Sequence, residues 1–363
     1  MSFAKLLFDK SRAPFIFLLL IFLALTGFTA ETTTEQKIDH LIQTYMKQHA
    51  IPGLALAVIM NGKPFILKGY GYGNVQTHKP VTTQTLFALG SISKVLTAFA
   101  VMKLVQEDKV HLDDSILTYI PDAPPSWQEV NISQLLSHSS GIPQYHGPHL
   151  PWQQLWETMA AKAMQFSPGT SVRYNNFAYI VLGRVIEKVS QQSLENYLQY
   201  SMFKPLNMMQ TGFPVLLFPS GLASGYRSRE GSILPNANQT PWLQMWGSGG
   251  IVSNIIDMAK WDMAITAEEL LSPSSYRRMW MPVFLKNGQP AGHKDWAWSL
   301  GGWQVSYRHG KLVAFKNGAI RGYSSWMVRH IDDHLSIILL TNSNKVPLQR
   351  IAEQIYQLMN LQH

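Results

Sequence analysis

The hydrophobic pattern of this chain changes period several times, and each change marks an element. Residues 35–49 place apolar side chains at helical spacing among polar ones, which predicts a moderately amphipathic helix. Residues 54–60, LALAVIM, are a continuous apolar run of strand length and predict a buried strand. Asn61-Gly62 follows as a strong hairpin signal, and PFILKGYGYG reads as the returning partner. From Ser91 to about Glu107 the period is helical again, with Val95, Leu96, Phe99, Met102 and Val105 as the inward face.

The middle of the chain, about 108–245, is punctuated by Pro, Ser and Asn clusters and predicts loops with short helices. Its clearest helix is FAYIVLGRVIEKVS, residues 177–190. Strands return at 311–315 (KLVAF), 324–331 (SSWMVRHI) and 335–342 (LSIILLTN), with Asp332-Asp333 marking the last turn. A final amphipathic helix from Pro347 aligns Leu348, Ile351, Ile355 and Leu358. Strands at both ends around a helical middle suggest one discontinuous α+β body, with the helical region inserted mid-chain.

The first thirty residues follow a different rule. Lys5, Lys10 and Arg12 precede APFIFLLLIFLALTGFTA, an apolar run with no polar face. A basic start and an apolar run have the form of a secretory signal, with Ala30 as the cleavage position. Phe28 is a poor residue two places before it, and the run nears the length of a membrane span, so a retained anchor is the alternative. Residues 1–30 are thus expected to be a signal peptide or an N-terminal anchor, and 31–363 one domain. The expected location is the periplasm, free or anchored in the inner membrane and facing outward.

Composition excludes several classes. Hydrophobic residues make up 46% of the 363 residues and charged ones only 14%, which provides a sizeable core and argues against disorder. The net charge of +8 comes from scattered residues without a Lys/Arg run, so no nucleic-acid surface is expected. There is no cysteine, which excludes disulfides, a thiol nucleophile and a thiolate metal site.

Candidate chemistry gathers at three places. LFALGSISKVLTAF puts Ser91 three residues before Lys94 at the mouth of an apolar helix. That spacing alone decides nothing: Ser2-Phe3-Ala4-Lys5 repeats it inside the targeting segment, and a serine at a helix start is ordinarily a cap. The second place is Tyr174-Asn175-Asn176, just before the 177–190 helix. The third is Lys316-Asn317-Gly318, at the end of the 311–315 strand. By themselves these two read as a capped helix with a packed tyrosine and as a surface turn.

Taken in order, Ser91-x-x-Lys94, Tyr174-x-Asn176 and Lys316-Asn317-Gly318 resemble the three motifs of the serine β-lactamases and penicillin-binding proteins. The segments around them, such as IPGLALAVIMNGK, ISQLLSHSSGIP and GSGGIVSNIIDMAKWDMAI, are similar to family segments in family order, over about residues 36–345. The resemblance is to the class C β-lactamase group with its D-Ala-D-Ala carboxypeptidases, D-aminopeptidases and esterases. It implies a mainly antiparallel sheet flanked by helices, and no cofactor or metal.

It also implies roles. Ser91 is expected to be the nucleophile and Lys94 its base. Residues three apart on a helix share a face, and burial beside another cation favours a neutral amine. Tyr174 would shuttle a proton, eased toward ionisation by Lys94 and Lys316. Asn176 would hold Lys94 and bond the substrate amide, and Lys316 would attract a substrate carboxylate. The backbone N–H groups of Ser91 and Ala319 would form the oxyanion hole, and Gly318 would let the strand approach the substrate. Asn317 departs from the hydroxyl residue, often Thr, that relatives carry there, which puts efficient β-lactam recognition in question.

The expected partner is a small-molecule or peptide substrate. A stalled penicillin-binding sensor and a carboxylesterase share the same motifs and stay open as alternatives. An α/β-hydrolase is disfavoured because the chain has no Gly-x-Ser-x-Gly elbow. A metal hydrolase is disfavoured because His146 and His149 have no matching cluster. His138, in SHSSG, reads as structural. The eleven tryptophans, among them Trp127, Trp152, Trp156, Trp242 and Trp246, read as core rather than as an acyl pocket.

Overall fold

Strand β1 (Gly53–Met60) shows why the fold has two cores. Leu54, Leu56 and Val58 enter one apolar cluster, while Ala55, Ala57 and Ile59 enter the other. A strand that is apolar on both faces must be covered on both. The computed structural model describes residues 32–145, 150–214, 221–229, 232–235 and 242–360. The expected targeting segment, 1–30, lies outside them, as do His146 and His149.

Nine strands form one antiparallel sheet, and two small ribbons stand apart from it, Phe87–Ala88 with Val252–Ser253 and Tyr226–Arg229 with Ser232–Pro235. Its other members are β2 (Lys63–Asn74), β3 (Lys79–Pro80), β4 (Gly292–His293), β5 (Trp296–Trp298), β6 (Gln304–Arg308), β7 (Lys311–Ile320), β8 (Tyr323–His330) and β9 (Leu335–Thr341). The order is β3-β2-β1-β9-β8-β7-β6-β5-β4, so β1 pairs with the last strand, Leu54 opposite Thr341. The β1–β2 hairpin turns on Asn61 (φ 52°) and Gly62 (φ 70°), the two positive angles of a type I′ turn.

One face of the sheet is covered by helix α1 (Thr34–Gln48) and the C-terminal helix. The other carries the larger core, which includes α2 (Ser93–Gln106), α3 (Asn176–Ser190) and α4 (Ile255–Thr266). The C-terminal helix α5 (Leu348–Asn360) buries Leu348, Ile351, Ala352, Ile355 and Met359; Leu358, expected on that face, is only partly buried. Among the described residues no helix is long and apolar enough to cross a membrane.

Three differences from the sequence reading bear on chemistry. First, Gly90–Ile92 is a tight 3₁₀ turn and α2 begins at Ser93, with Ile92 at its cap position, so Ser91 is not the cap. Second, α2 has no single inward face. Ser93 to Met102 and Leu104 are all buried, because the helix runs through the middle of the core, and Val105 is at its edge. Third, β7 runs on through Lys316-Asn317-Gly318, so the third motif is strand rather than turn. Strands β4 to β6, short and interrupted by glycines, had no clear period to reveal them.

Candidate active site

The turn that carries Ser91 is pressed against the strand that carries Lys316. Gly90 takes φ 53° and lies so near β7 that a Cβ there would come within 2.9 Å of the Ala319 nitrogen. One residue earlier, the Leu89 carbonyl accepts a hydrogen bond from Ser325 Oγ at 2.7 Å. A Cβ on Gly318 would sit 2.1 Å from both the Leu89 oxygen and Ser325 Oγ. Gly318 is therefore needed for the serine turn to lie on the strand, a packing reason that stands beside the substrate approach expected of it. Pairing between β6 and β7 ends at Gln304 opposite Phe315, so among the described residues no strand pairs with that edge of β7 from Lys316 to Ile320.

The three expected motifs converge. Ser91 Oγ accepts from the Tyr174 hydroxyl at 2.6 Å and from Lys94 Nζ at 3.3 Å. Lys94 Nζ also donates to Asn176 Oδ1 at 2.8 Å and to the Ser248 carbonyl at 2.6 Å. Asn175, not Asn176, caps α3: its side chain accepts from the Ala178 N–H at 3.1 Å and donates to the Ile142 carbonyl at 2.8 Å. That division of labour frees Asn176, the first helical residue, to reach Lys94. The Asn317 side chain lies on the opposite face of β7 from Lys316 and is exposed.

Both lysines are fully buried, and an ammonium loses most of its hydration there. Burial, reinforced by Lys316, holds Lys94 well below the ordinary lysine range. Burial alone brings Lys316 down to about 7. Its Nζ makes no hydrogen bond among the described residues, and rests 4.2 Å over the Trp298 ring and 5.2 Å over that of Tyr174. Tyr174 is 38% exposed as a residue, with its hydroxyl bonded to Ser91. Burial pushes that hydroxyl up, and the bond to Ser91 only partly opposes it, so Tyr174 is a phenol.

Several participants escaped the sequence reading. Ser93, one residue past the turn, accepts from the Ile251 N–H at 3.1 Å, and Thr97 donates to the Gly247 carbonyl at 2.7 Å. With Lys94 on Ser248, they fasten residues 247–251 to α2. Just before that segment Trp246 holds φ 37° and ψ −126°, an unfavourable conformation for a side chain of its size. Gln144 Oε1 accepts from the Asn176 N–H at 3.0 Å. His138 packs its ring 4.5 Å from those of both Tyr174 and Trp298, and its Nδ1 accepts from the Asn175 N–H at 3.1 Å. Burial and the two lysines keep it neutral. Trp127 and Trp156 are core, packed edge to face at 5.4 Å. The Trp242 side chain lies outside the described residues.

Comparison with known proteins agrees with this arrangement. The Beta-lactamase family model matches residues 38–358. Protein flp of Staphylococcus aureus is 24% identical over 336 residues, 89% of this chain; the chain spans 66% of that relative's length. Penicillin-binding protein 4* of Bacillus subtilis is 28% identical over 331 residues, covering 85% of this chain and 72% of the relative. The octameric penicillin-binding protein homologue from Pyrococcus abyssi superposes with a TM-score of 0.76 at 27% identity, over 90% of this chain and 76% of that one. The D-amino acid amidase from Ochrobactrum anthropi, complexed with L-phenylalanine amide, shares the fold with a TM-score of 0.76 at 21% identity, over 90% and 99% of the two chains. A nine-stranded antiparallel sheet with the serine turn packed against β7, and a family match over nearly the whole described body, place this chain in the Beta-lactamase family.

Proposed function

We propose that this protein hydrolyses amide or ester bonds through an acyl-enzyme on Ser91, on substrates that bear a carboxylate near the scissile bond. D-Ala-D-Ala-type peptides and β-lactams fit that description better than neutral esters. One observation carries the reading: Ser91 Oγ lies between the Tyr174 hydroxyl, at 2.6 Å, and the buried amine of Lys94, at 3.3 Å.

The mechanism follows from the proton inventory. A serine hydroxyl needs a neighbouring base, and Lys94, depressed by burial, is a neutral amine. As a neutral amine Lys94 donates its two N–H groups to Asn176 and Ser248, keeps its lone pair for Ser91 across the 3.3 Å contact, and takes the hydroxyl proton as Oγ bonds to the carbonyl carbon. The oxyanion that forms is met by the backbone N–H groups of Ser91 and Ala319, on the turn and the strand that Gly90 brings together. Tyr174, a phenol, gives its proton to the leaving atom and regains one from Lys94. The Ser91 ester then remains, and water attacks it by the reverse proton path. Lys316, with no hydrogen-bond partner among the described residues, attracts the substrate carboxylate.

The basic and apolar residues 1–30 support export, with the body in the periplasm or held to the inner membrane. Fractionation of cells expressing the full chain tests that placement. Mixing the protein with a fluorescent penicillin and following its mass tests the chemistry. The expected result is an adduct on Ser91 that turns over and is lost in Ser91→Ala. No adduct, or an adduct that survives Ser91→Ala, overturns the reading. An adduct that never turns over would make the protein a stalled penicillin-binding sensor.

A further inference from the structure

Trp298 lies outside all three motifs, yet its ring packs against three groups at the centre of the site. The Lys316 ammonium rests 4.2 Å from its centroid, the Tyr174 ring lies 5.9 Å away at a 34° tilt, and the His138 ring meets it edge-on at 4.5 Å. Its backbone is fixed on both sides: the Trp298 N–H donates to the Ala291 carbonyl at 2.8 Å, and its carbonyl accepts from the Val283 N–H at 2.8 Å. Trp296 closes its outer side edge-on at 5.3 Å. The indole is 4% exposed and has little room to move.

A buried ammonium ordinarily needs a hydrogen-bonded partner. Lys94, on α2, has three, in Asn176, Ser248 and Ser91. Lys316 has none among the described residues. The titratable groups around it are Lys94 itself, Tyr174 ahead of α3 and His138 from the loop after Ile132–Leu136. None of these is an anion: burial keeps Tyr174 a phenol and His138 neutral. What remains to favour a charge is two aromatic faces, the Tyr174 ring at 5.2 Å and, nearer at 4.2 Å, the indole, the strongest aromatic partner for a cation.

We propose that Trp298 is the positioning residue for Lys316: its indole face holds the ammonium in place of a hydrogen bond and leaves the N–H groups free for the substrate carboxylate. The inference rests on the carboxylate-binding reading of Lys316 given above. It makes Trp298 a determinant of specificity that acts through the lysine and not on the reacting atoms.

The test compares kcat/KM against pH for two substrates with the same acyl group, one with a leaving-group carboxylate and one neutral. The quantity read is their ratio, so losses common to both cancel. In the wild type the ratio should fall as Lys316 loses its proton, near pH 7. Loss of the π face in Trp298→Leu should move that fall about one pH unit lower, leaving the ratio down roughly tenfold at pH 7.5 and restored near pH 5.5. Trp298→Phe keeps a weaker π face and should move it in the same direction by less; it decides the matter if the leucine variant does not fold. A purely structural tryptophan would lower both substrates together without moving the fall. Ratio curves that superimpose on the wild type, while Lys316→Ala abolishes the preference, overturn the role of Trp298 and leave the proposed function standing. A preference unchanged in Lys316→Ala overturns both.

Discussion

The protein buries cations in two places and treats them in opposite ways. Between β8 and α4, Arg329 has an anion against it: its Nη1 donates to an Asp262 carboxylate oxygen and, at 3.0 Å, to the Asp262 carbonyl, while Nη2 donates to Thr266 Oγ1 at 3.0 Å. In the candidate active site, Lys94 and Lys316 are fully buried with no carboxylate bonded to either. Burial raises the Asp262 carboxyl even with Arg329 against it, but the pair meets much of its own desolvation. The two lysines are instead pushed toward neutrality. A paired buried charge joins elements together, whereas an unpaired one is held ready for something outside the protein.

The hardest break of this contrast is chemical. Lys94→Arg keeps a cation but cannot supply a neutral amine, because arginine stays protonated. It should lower kcat almost as far as Lys94→Ala, and both should approach Ser91→Ala, at roughly three to six orders of magnitude below wild type. Ser91 caps no helix, so Ser91→Ala should leave thermal stability nearly unchanged. An arginine variant that retained most activity would show that Lys94 serves by charge alone.

A second break strikes the paired site. Asp262→Ala leaves Arg329 buried without its anion and should destabilise the fold by about 3–5 kcal/mol, read by urea unfolding. Where it remains folded, kcat should be close to wild type, since the pair bonds none of the side chains around Ser91. Asp262→Asn keeps the volume and one acceptor, and should be milder. A loss of kcat without a loss of stability would mean that the pair reaches the active site.

The opposite sign is expected at Lys316. Its pKa in the folded state is about 7 against an ordinary 10.5, so between those values the unfolded chain binds more protons. Stability should therefore rise with pH from about 7 to about 10.5, with the full penalty of the buried charge present below pH 7. Lys316→Met removes the charge at similar volume. It should stabilise the protein by about 2–3 kcal/mol at pH 6, an advantage that fades toward pH 10. Activity on a carboxylate-bearing substrate should fall at the same time. A methionine variant less stable than wild type at pH 6 would show that Trp298 and Tyr174 compensate the charge in full.

Why the sequence showed some of this and not the rest can be traced to individual residues. The β1–β2 hairpin was visible because Asn61-Gly62 suits positive φ at two successive positions and the apolar run before it is unbroken. Ser91, Lys94, Tyr174, Asn176 and Lys316 were named because their types and order match a known set, and the fold brings them together. Gly318 has a packing role that the sequence did not show, because its crowding by Leu89 comes from a residue distant in sequence. Trp298 left no local signal. Its partners are a lysine 18 residues later and a histidine 160 residues earlier, and only the sheet makes them neighbours.

The finest distinction between a site built for carboxylates and one that tolerates them lies at Asn317. Its side chain projects from the face of β7 opposite Lys316, at the free edge of the strand, with Trp326 across the register. From there it can reach a substrate only around that edge. One uncharged hydrogen bond made or improved is worth about 0.5–1.5 kcal/mol. Asn317→Thr, which supplies the hydroxyl usual in relatives, should therefore raise kcat/KM on the carboxylate-bearing substrate by roughly two- to tenfold. The neutral ester should change little, and so should stability, since a β-branched residue suits a strand and the site is exposed. If both substrates rise together, the threonine acts on the strand and not on the carboxylate. If neither moves, recognition of the carboxylate rests on Lys316, and the departure at 317 is neutral for the reaction.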